Sequence, residues 1–169
     1  PMILSALGVI VSMIGTFFVK THENADQKSL LNSLRRGTQI SSILMVLGSY
    51  YIIEKFFPQC EKLFVSLSVG LIAGILIGFT TEFFTSDTYK PTRKLAKSSE
   101  TGSGTVIISG LSLGMFSTLA PCIIIGIAVL LSFFVCGGTT NTAIGFSRGL
   151  YGVGIAAVGM LSTLGITLA

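Results

Sequence analysis

The sequence predicts an all-α membrane protein with five transmembrane helices. Half of the 169 residues are apolar and only 11% are charged. The charges are also unevenly spread, since no acidic, basic or histidine residue occurs in the 47 positions between Glu100 and Arg148. A soluble domain of this size cannot bury such long apolar runs, whereas a bilayer requires them. About 20 apolar residues cross its ~30 Å hydrocarbon core as a helix.

The first two predicted spans, residues 2–20 and 38–55, are short. Their uncharged stretches have only 17 to 19 residues, which is near the lower limit for crossing a bilayer. The long side chains of Lys20, Arg36 and Lys55 can extend to the membrane surface and make up the difference.

The other three predicted spans, 63–86, 104–134 and 146–169, contain regularly spaced glycines. The last two are separated by a glycine-containing turn at 137–141. Small residues four apart on a helix let two backbones approach closely, while an ion-lining role for the hydroxyl groups of these spans stays open as the alternative. The glycines predicted to pack helices are Gly70, Gly74, Gly78, Gly110, Gly114, Gly145, Gly149 and Gly159.

The basic residues predict the topology. Eight of the eleven lie in or beside two of the four loops, at 21–37 and 87–103. By the positive-inside rule these two loops are cytoplasmic, so the first, third and fifth spans run from outside to inside. The net charge of +4 therefore reflects membrane topology, and no nucleic-acid partner is predicted.

Few side chains suit catalysis or metal binding, and none is predicted to be catalytic or to hold a metal. His22 lies beside Glu23 and Asp26 in a loop, where a solvated role is favoured over a metal site. The cysteines match no metal-binding or redox spacing. A disulfide between Cys60 and Cys136, both near the predicted external face, stays open.

Glu82 is the ionisable residue nearest to the interior of a predicted span. Charge at membrane depth is costly, so such a residue is a functional candidate. Two interpretations stay open. Glu82 is either an interfacial carboxylate in contact with water or a loop lysine such as Lys90, or a supporting part of a cytoplasmic site.

The two ends of the chain lead us to expect an internal fragment of a longer protein. Pro1 already lies inside an apolar run, and the last predicted helix reaches Ala169 without a polar residue to end it. A secretion signal over residues 1–19 is the alternative, but no basic segment precedes it.

The second half of the chain holds segments that together resemble one known family. Residues 74–86 and 89–91 are similar to an apolar helix that ends in Thr-Glu-Tyr-Tyr-Thr and to the Tyr-Lys/Ser-Pro loop after it. Residues 101–102 and 110–114 are similar to the entry of the next helix, and 152–163 are similar to an inner helix. The family is the membrane-bound, ion-translocating pyrophosphatases, which pump protons or sodium ions.

This resemblance implies a homodimer of sixteen-helix subunits in membrane lipid, with this chain as the seventh to eleventh helices. It implies pyrophosphate hydrolysis at a cytoplasmic site that holds Mg²⁺, coupled to outward transport of a proton or a sodium ion. K⁺ stays open as a further cofactor. The membrane would be the inner membrane of a bacterial cell or that of an acidic organelle.

The family's catalytic aspartate and lysine motifs are missing from this chain. The resemblance therefore gives Glu82 and Lys90 a supporting role at most and predicts that the isolated chain is inactive. The alternatives are helices of an unrelated transporter or channel, or a non-catalytic membrane scaffold.

Overall fold

The computed structural model describes residues 1–18, 27–56, 61–87, 89–139 and 142–162. Over these ranges the regular structure is helical and contains no strand, which confirms the all-α prediction. Five long helices and one short helix occur there: α1 (Met2–Phe18), α2 (Gln27–Phe56), α3 (Glu61–Thr85), the short α4 (Lys90–Ser98), α5 (Ser103–Val135) and α6 (Ala143–Leu161).

Three helical stretches of the described residues are long and apolar enough to cross a membrane. They are Lys62–Ser98, which includes most of α3 together with α4, and the helices α5 and α6. Residues Met2–Phe17 of α1 form a shorter apolar helix. At ~1.5 Å per residue, the 19 residues of α6 are ~29 Å long and match the ~30 Å core of a bilayer, while the 33 residues of α5 are ~50 Å long and exceed it.

Residues 1–74 and 128–169 form one compact unit. In it α1 packs against both α2 and α6. Apolar residues spaced three, four or seven apart share one face of a helix, and this spacing places Leu4 with Val11 on α1 and Leu67 with Leu71 on α3. The buried core of the unit consists of Leu4, Val11, Met45, Leu67, Leu71 and Ile155.

Residues 75–127 form a second compact unit, which contains the end of α3, all of α4 and most of α5. Large apolar side chains remain exposed along α5, with Ile107 at 71%, Leu111 at 70% and Met115 at 69%. Because lipid tails are as apolar as these side chains, a helix in a membrane has no need to bury them in protein.

Two helices extend into segments that were predicted as loops. α4 lies within the predicted loop 87–103, and α2 begins at Gln27, ahead of the predicted start at 38. Pro91 stands in the first turn of α4, where its missing N–H and fixed φ are well tolerated. The lysine, arginine, leucine and alanine residues around it are good helix formers. The spans were predicted from uncharged runs, and such runs do not detect charged helical turns.

Candidate functional site

Glu82 lies in the last turn of α3. Its side chain is half-buried, and its carbonyl oxygen accepts a hydrogen bond from the backbone N–H of Ser86 at 2.9 Å. The hydroxyl groups of Thr81 and Thr85 donate to carbonyl oxygens one turn earlier, at Ile77 and Thr81, both at 2.7 Å. These bonds satisfy the threonine hydroxyls within the helix.

The turn after α3 is fixed to the start of α4. Thr92 Oγ1 donates to the carbonyl oxygen of Phe84 at 3.1 Å, and the Phe83 and Tyr89 rings lie 5.0 Å apart between centroids. Lys90, the first residue of α4, is exposed. The structure therefore places Glu82 and Lys90 on either side of one short, well-bonded turn, and the supporting role of both residues stays a prediction.

The described residues offer no metal site. No group of three or more His, Cys, Asp or Glu side chains within these ranges could hold a metal ion. His22 and Cys60 lie outside the described residues, so the structure does not address the interpretations that involve them.

Glycines bring the backbones of α3 and α6 into close contact. A Cβ added at Gly70 would lie 2.8 Å from Ala156 Cα and would overlap the carbonyl group of that residue. A Cβ at Gly159 would lie 2.6 Å from the carbonyl oxygen of Leu67, and one at Gly74 would lie 3.3 Å from that of Met160. Side chains larger than hydrogen do not fit at Gly70 or Gly159 unless the helices separate.

A second close contact joins the end of α5 to the start of α6. A Cβ at Gly149 would overlap the Phe133 ring and lie 2.9 Å from Gly138 Cα. At Gly145 a Cβ would lie 2.8 Å from Thr142 Oγ1, the oxygen that caps α6 by accepting the Gly145 N–H at 3.3 Å. These two glycines therefore sit where α6 folds back on the end of α5.

The other predicted packing glycines have more space around them. No heavy atom of the described residues lies within 4 Å of a Cβ built at Gly78 or Gly114, and Gly110 has only an ordinary contact at 3.8 Å with Leu95 Cδ1. A packing role for these three stays a prediction about surfaces that they present outside this part of the chain.

Two residues of the α3–α6 contact escaped the sequence analysis. Ser66 is fully buried and donates from Oγ to the carbonyl oxygen of Gly152 at 2.6 Å. A Cβ at Gly152 would lie 2.8 Å from the carbonyl oxygen of Ser132. The signal was present, because Ser66 precedes Gly70 by four residues and Gly152 precedes Ala156 by four, which extends the spacing of small residues on both helices.

Comparison with known proteins identifies a family that this chain matches. A protein-family model described as inorganic H⁺ pyrophosphatase matches residues 1–169. Over its whole length the chain is 48% identical to a Bacteroides thetaiotaomicron protein named putative K⁺-stimulated pyrophosphate-energized sodium pump, of which it covers 23%. It is 37% identical, again over its whole length, to a Methanosarcina mazei protein named K⁺-insensitive pyrophosphate-energized proton pump, of which it covers 24%.

A third relative is the K⁺-stimulated pyrophosphate-energized sodium pump of Thermotoga maritima, 34% identical over 96% of this chain and 22% of that protein. The chain thus spans about a quarter of the length of the curated relatives that it matches. Together with the apolar helices, these similarities identify an integral membrane protein.

Proposed function

Because the chain belongs to the inorganic H⁺ pyrophosphatase family, we propose that the complete protein uses pyrophosphate hydrolysis to drive a proton or a sodium ion across a membrane. The single observation that carries this proposal is the match of the family over all 169 residues. The names of the relatives, pyrophosphate-energized sodium and proton pumps, support it. The match also argues against an unrelated transporter or channel.

Within that pump, this chain is proposed to supply structure rather than catalytic groups. α6 includes most of the segment that resembles an inner helix of the family, and it is held from two sides. α3 contacts it through Gly70 and Ser66, and α5 contacts it through Phe133, which lies against Gly149 of α6. Backbone contacts of this kind leave little freedom for α6 to shift, which suits a helix that must keep its register beside a catalytic site.

The Mg²⁺ that the family resemblance implies does not fit the described residues, which provide no cluster of ligands for it. Because the catalytic motifs of the family are missing from this sequence, we propose that Mg²⁺ and any K⁺ bind in other parts of the complete protein, and we assign no catalytic step to this chain. Glu82 and Lys90 are proposed as supporting residues at the predicted cytoplasmic face. The homodimer and the choice of membrane are likewise proposals that follow from the family resemblance.

Sequence identity does not sort the relatives by transported ion. The sodium pumps are 48% and 34% identical to this chain, and the proton pump lies between them at 37%. The same relatives differ in their response to K⁺. The ion and the K⁺ dependence must therefore be measured directly.

The test uses the complete protein in sealed vesicles. Pyrophosphate should be hydrolysed only when Mg²⁺ is present, and hydrolysis should be accompanied by ion uptake into the vesicles. A sodium pump should require Na⁺ and continue to accumulate it when a protonophore is added, whereas the pH gradient made by a proton pump should collapse. Folded protein that hydrolyses no pyrophosphate under any of these conditions would contradict the proposal.

A further inference from the structure

The connection between α3 and α5 carries a row of positive charges. α4 is nine residues long and therefore ~13 Å in length. Its basic residues are Lys90, Arg93, Lys94 and Lys97, and it has no acidic one. At about 100° per residue these four fall within an arc of about 100° on one side of the helix. All four are exposed, and they form what we call the basic face of α4.

The opposite side of α4 is bonded to the helices before and after it. Thr92 Oγ1 donates to the carbonyl oxygen of Phe84 in α3 at 3.1 Å. The carbonyl oxygen of Ser98 accepts from Thr105 Oγ1 in α5, also at 3.1 Å, and Leu95 between them is half-buried. These contacts hold Thr92 and Ser98 against α3 and α5, while the basic face stays exposed. Within that face, Arg93 also donates from Nε to the carbonyl oxygen of Asp87 at 2.9 Å.

The position of α4 along the membrane normal follows from its neighbours. The helix α5 and the stretch that includes most of α3 are both long and apolar enough to cross a membrane, and α4 lies between the end of α3 and the start of α5. A short connection of this kind lies where hydrocarbon gives way to headgroups. Lysine side chains there can extend their ammonium groups to the level of the lipid phosphates.

We propose that the basic face of α4 binds the headgroups of anionic phospholipids in the surrounding membrane. Charge complementarity carries the proposal, because clusters of Lys and Arg on an amphipathic helix beside a membrane span attract anionic lipid. The bonded inner side of α4 supports it, since a helix that is already oriented loses little freedom when a lipid binds. This inference requires α3 and α5 to cross a membrane but does not depend on the proposed pump activity.

The first test is a lipid titration of the complete protein followed by native mass spectrometry, with phosphatidylglycerol and phosphatidylcholine as probes. Each lysine near an anionic surface contributes about fivefold in binding, so the K94Q/K97Q variant should lose roughly 25-fold in affinity for its tightest phosphatidylglycerol. Phosphatidylcholine binding should not change. K94R/K97R, which keeps the charge, should bind like the wild type.

A matched control removes two positive charges elsewhere. Lys62 and Arg148 are exposed and lie outside α4, and K62Q/R148Q should bind phosphatidylglycerol like the wild type. The proposal is wrong if K94Q/K97Q also binds normally, or if both double variants lose the same affinity. A third outcome would also contradict the proposal. If K94Q/K97Q keeps its lipid affinity but has a raised KM for pyrophosphate in bilayers of phosphatidylcholine alone, the two lysines attract pyrophosphate rather than lipid.

The second test needs no variant. Phosphatidylglycerol with a diazirine in its headgroup is incorporated into bilayers that contain the unmodified complete protein, and the sample is irradiated and digested. Adducts should map to residues 87–101. Adducts found in other segments but not in this one would overturn the proposal.

Discussion

Gly70 and Gly78 lie two turns apart on α3, yet an added methyl group would meet different surroundings at each. At Gly70 it would overlap the backbone of Ala156, whose Cα would be 2.8 Å away, whereas no described heavy atom lies within 4 Å at Gly78. Backbone cannot rotate aside as a side chain can. The Gly70→Ala variant of the complete protein should therefore be destabilised by about 1–3 kcal/mol, the usual cost of overpacking.

The matched control is Gly78→Ala. Alanine favours helix over glycine by up to ~1 kcal/mol, and the described residues leave room for a methyl group at Gly78, so this variant should unfold at a higher temperature than Gly70→Ala. The unfolding temperatures of both variants are measured in the same detergent, with the loss of the monodisperse peak in size-exclusion chromatography as the readout. Equal unfolding temperatures for the two variants would show that the α3–α6 contact does not constrain Gly70.

Ser66 provides a second prediction at this scale. Its buried hydroxyl donates to the carbonyl oxygen of Gly152 on another helix, while the neighbouring Ser68 donates to Phe64 in its own helix at 2.9 Å. Hydrogen bonds between membrane helices contribute ~0.6–1.7 kcal/mol. Ser66→Ala should lower the unfolding temperature more than Ser68→Ala does, and the reverse order would refute the importance of this bond.

At the residue scale, the glycine spacing predicted only part of the α3–α6 contact. The four-residue spacing that links Gly70 to Gly74 also links Gly74 to Gly78, so spacing identified a face that suits packing. It could not show that Gly70 contacts Ala156 of α6 while the described residues leave open space at Gly78. Ser66 and Gly152 each lie one turn before a small residue of the contact, but this spacing does not reveal that the hydroxyl of Ser66 bonds to another helix.

At the element scale, α3 and α6 run parallel. Ser66 contacts Gly152, Gly70 contacts Ala156 and Gly74 lies beside Met160, so the contacts advance in the same direction along both helices. The third and fifth predicted spans have this relation because one span, the fourth, lies between them and returns the chain to the side from which the third span started. The order and the helical character of these elements were predictable from uncharged runs, since a bilayer leaves a long apolar segment few alternatives to a helix.

Not every helix was predictable in this way. α4 is short and basic, and its sequence resembles that of a surface loop. Its basic residues have the three- and four-residue spacing of one helix face, but the spans were predicted from uncharged runs, and a charged helix gives no signal in that pattern. Pro91 is compatible both with a turn and with the first turn of a helix, so local sequence alone did not decide between them.

The topology predicts that the start of α3 and the end of α4 lie on opposite sides of the membrane, and labelling can test this. Lys62 begins the stretch that contains α3, and Ser99 follows α4, and both residues are exposed. In the complete protein with its native cysteines replaced, a membrane-impermeant maleimide should label Lys62→Cys in intact cells. Ser99→Cys should be labelled only after the membrane is permeabilised.

The two outcomes that would contradict this topology differ in meaning. Labelling of both positions in intact cells would show that α3 does not cross the membrane. Labelling of Ser99→Cys alone would leave the number of spans intact and reverse their orientation. In that case the positive-inside rule would be wrong for this protein.

At the scale of the whole molecule, the isolated chain is predicted to be inactive. It covers about a quarter of its curated relatives, and its described residues provide no cluster of side chains to hold Mg²⁺. Bound Mg²⁺ would supply neutralisation of the negative charge of pyrophosphate. The purified 169-residue chain should therefore release no more phosphate than the complete protein does when Mg²⁺ is chelated. Mg²⁺-dependent release by the isolated chain would mean that catalytic groups lie within these five long helices and their loops, and it would overturn the structural role that we propose for them.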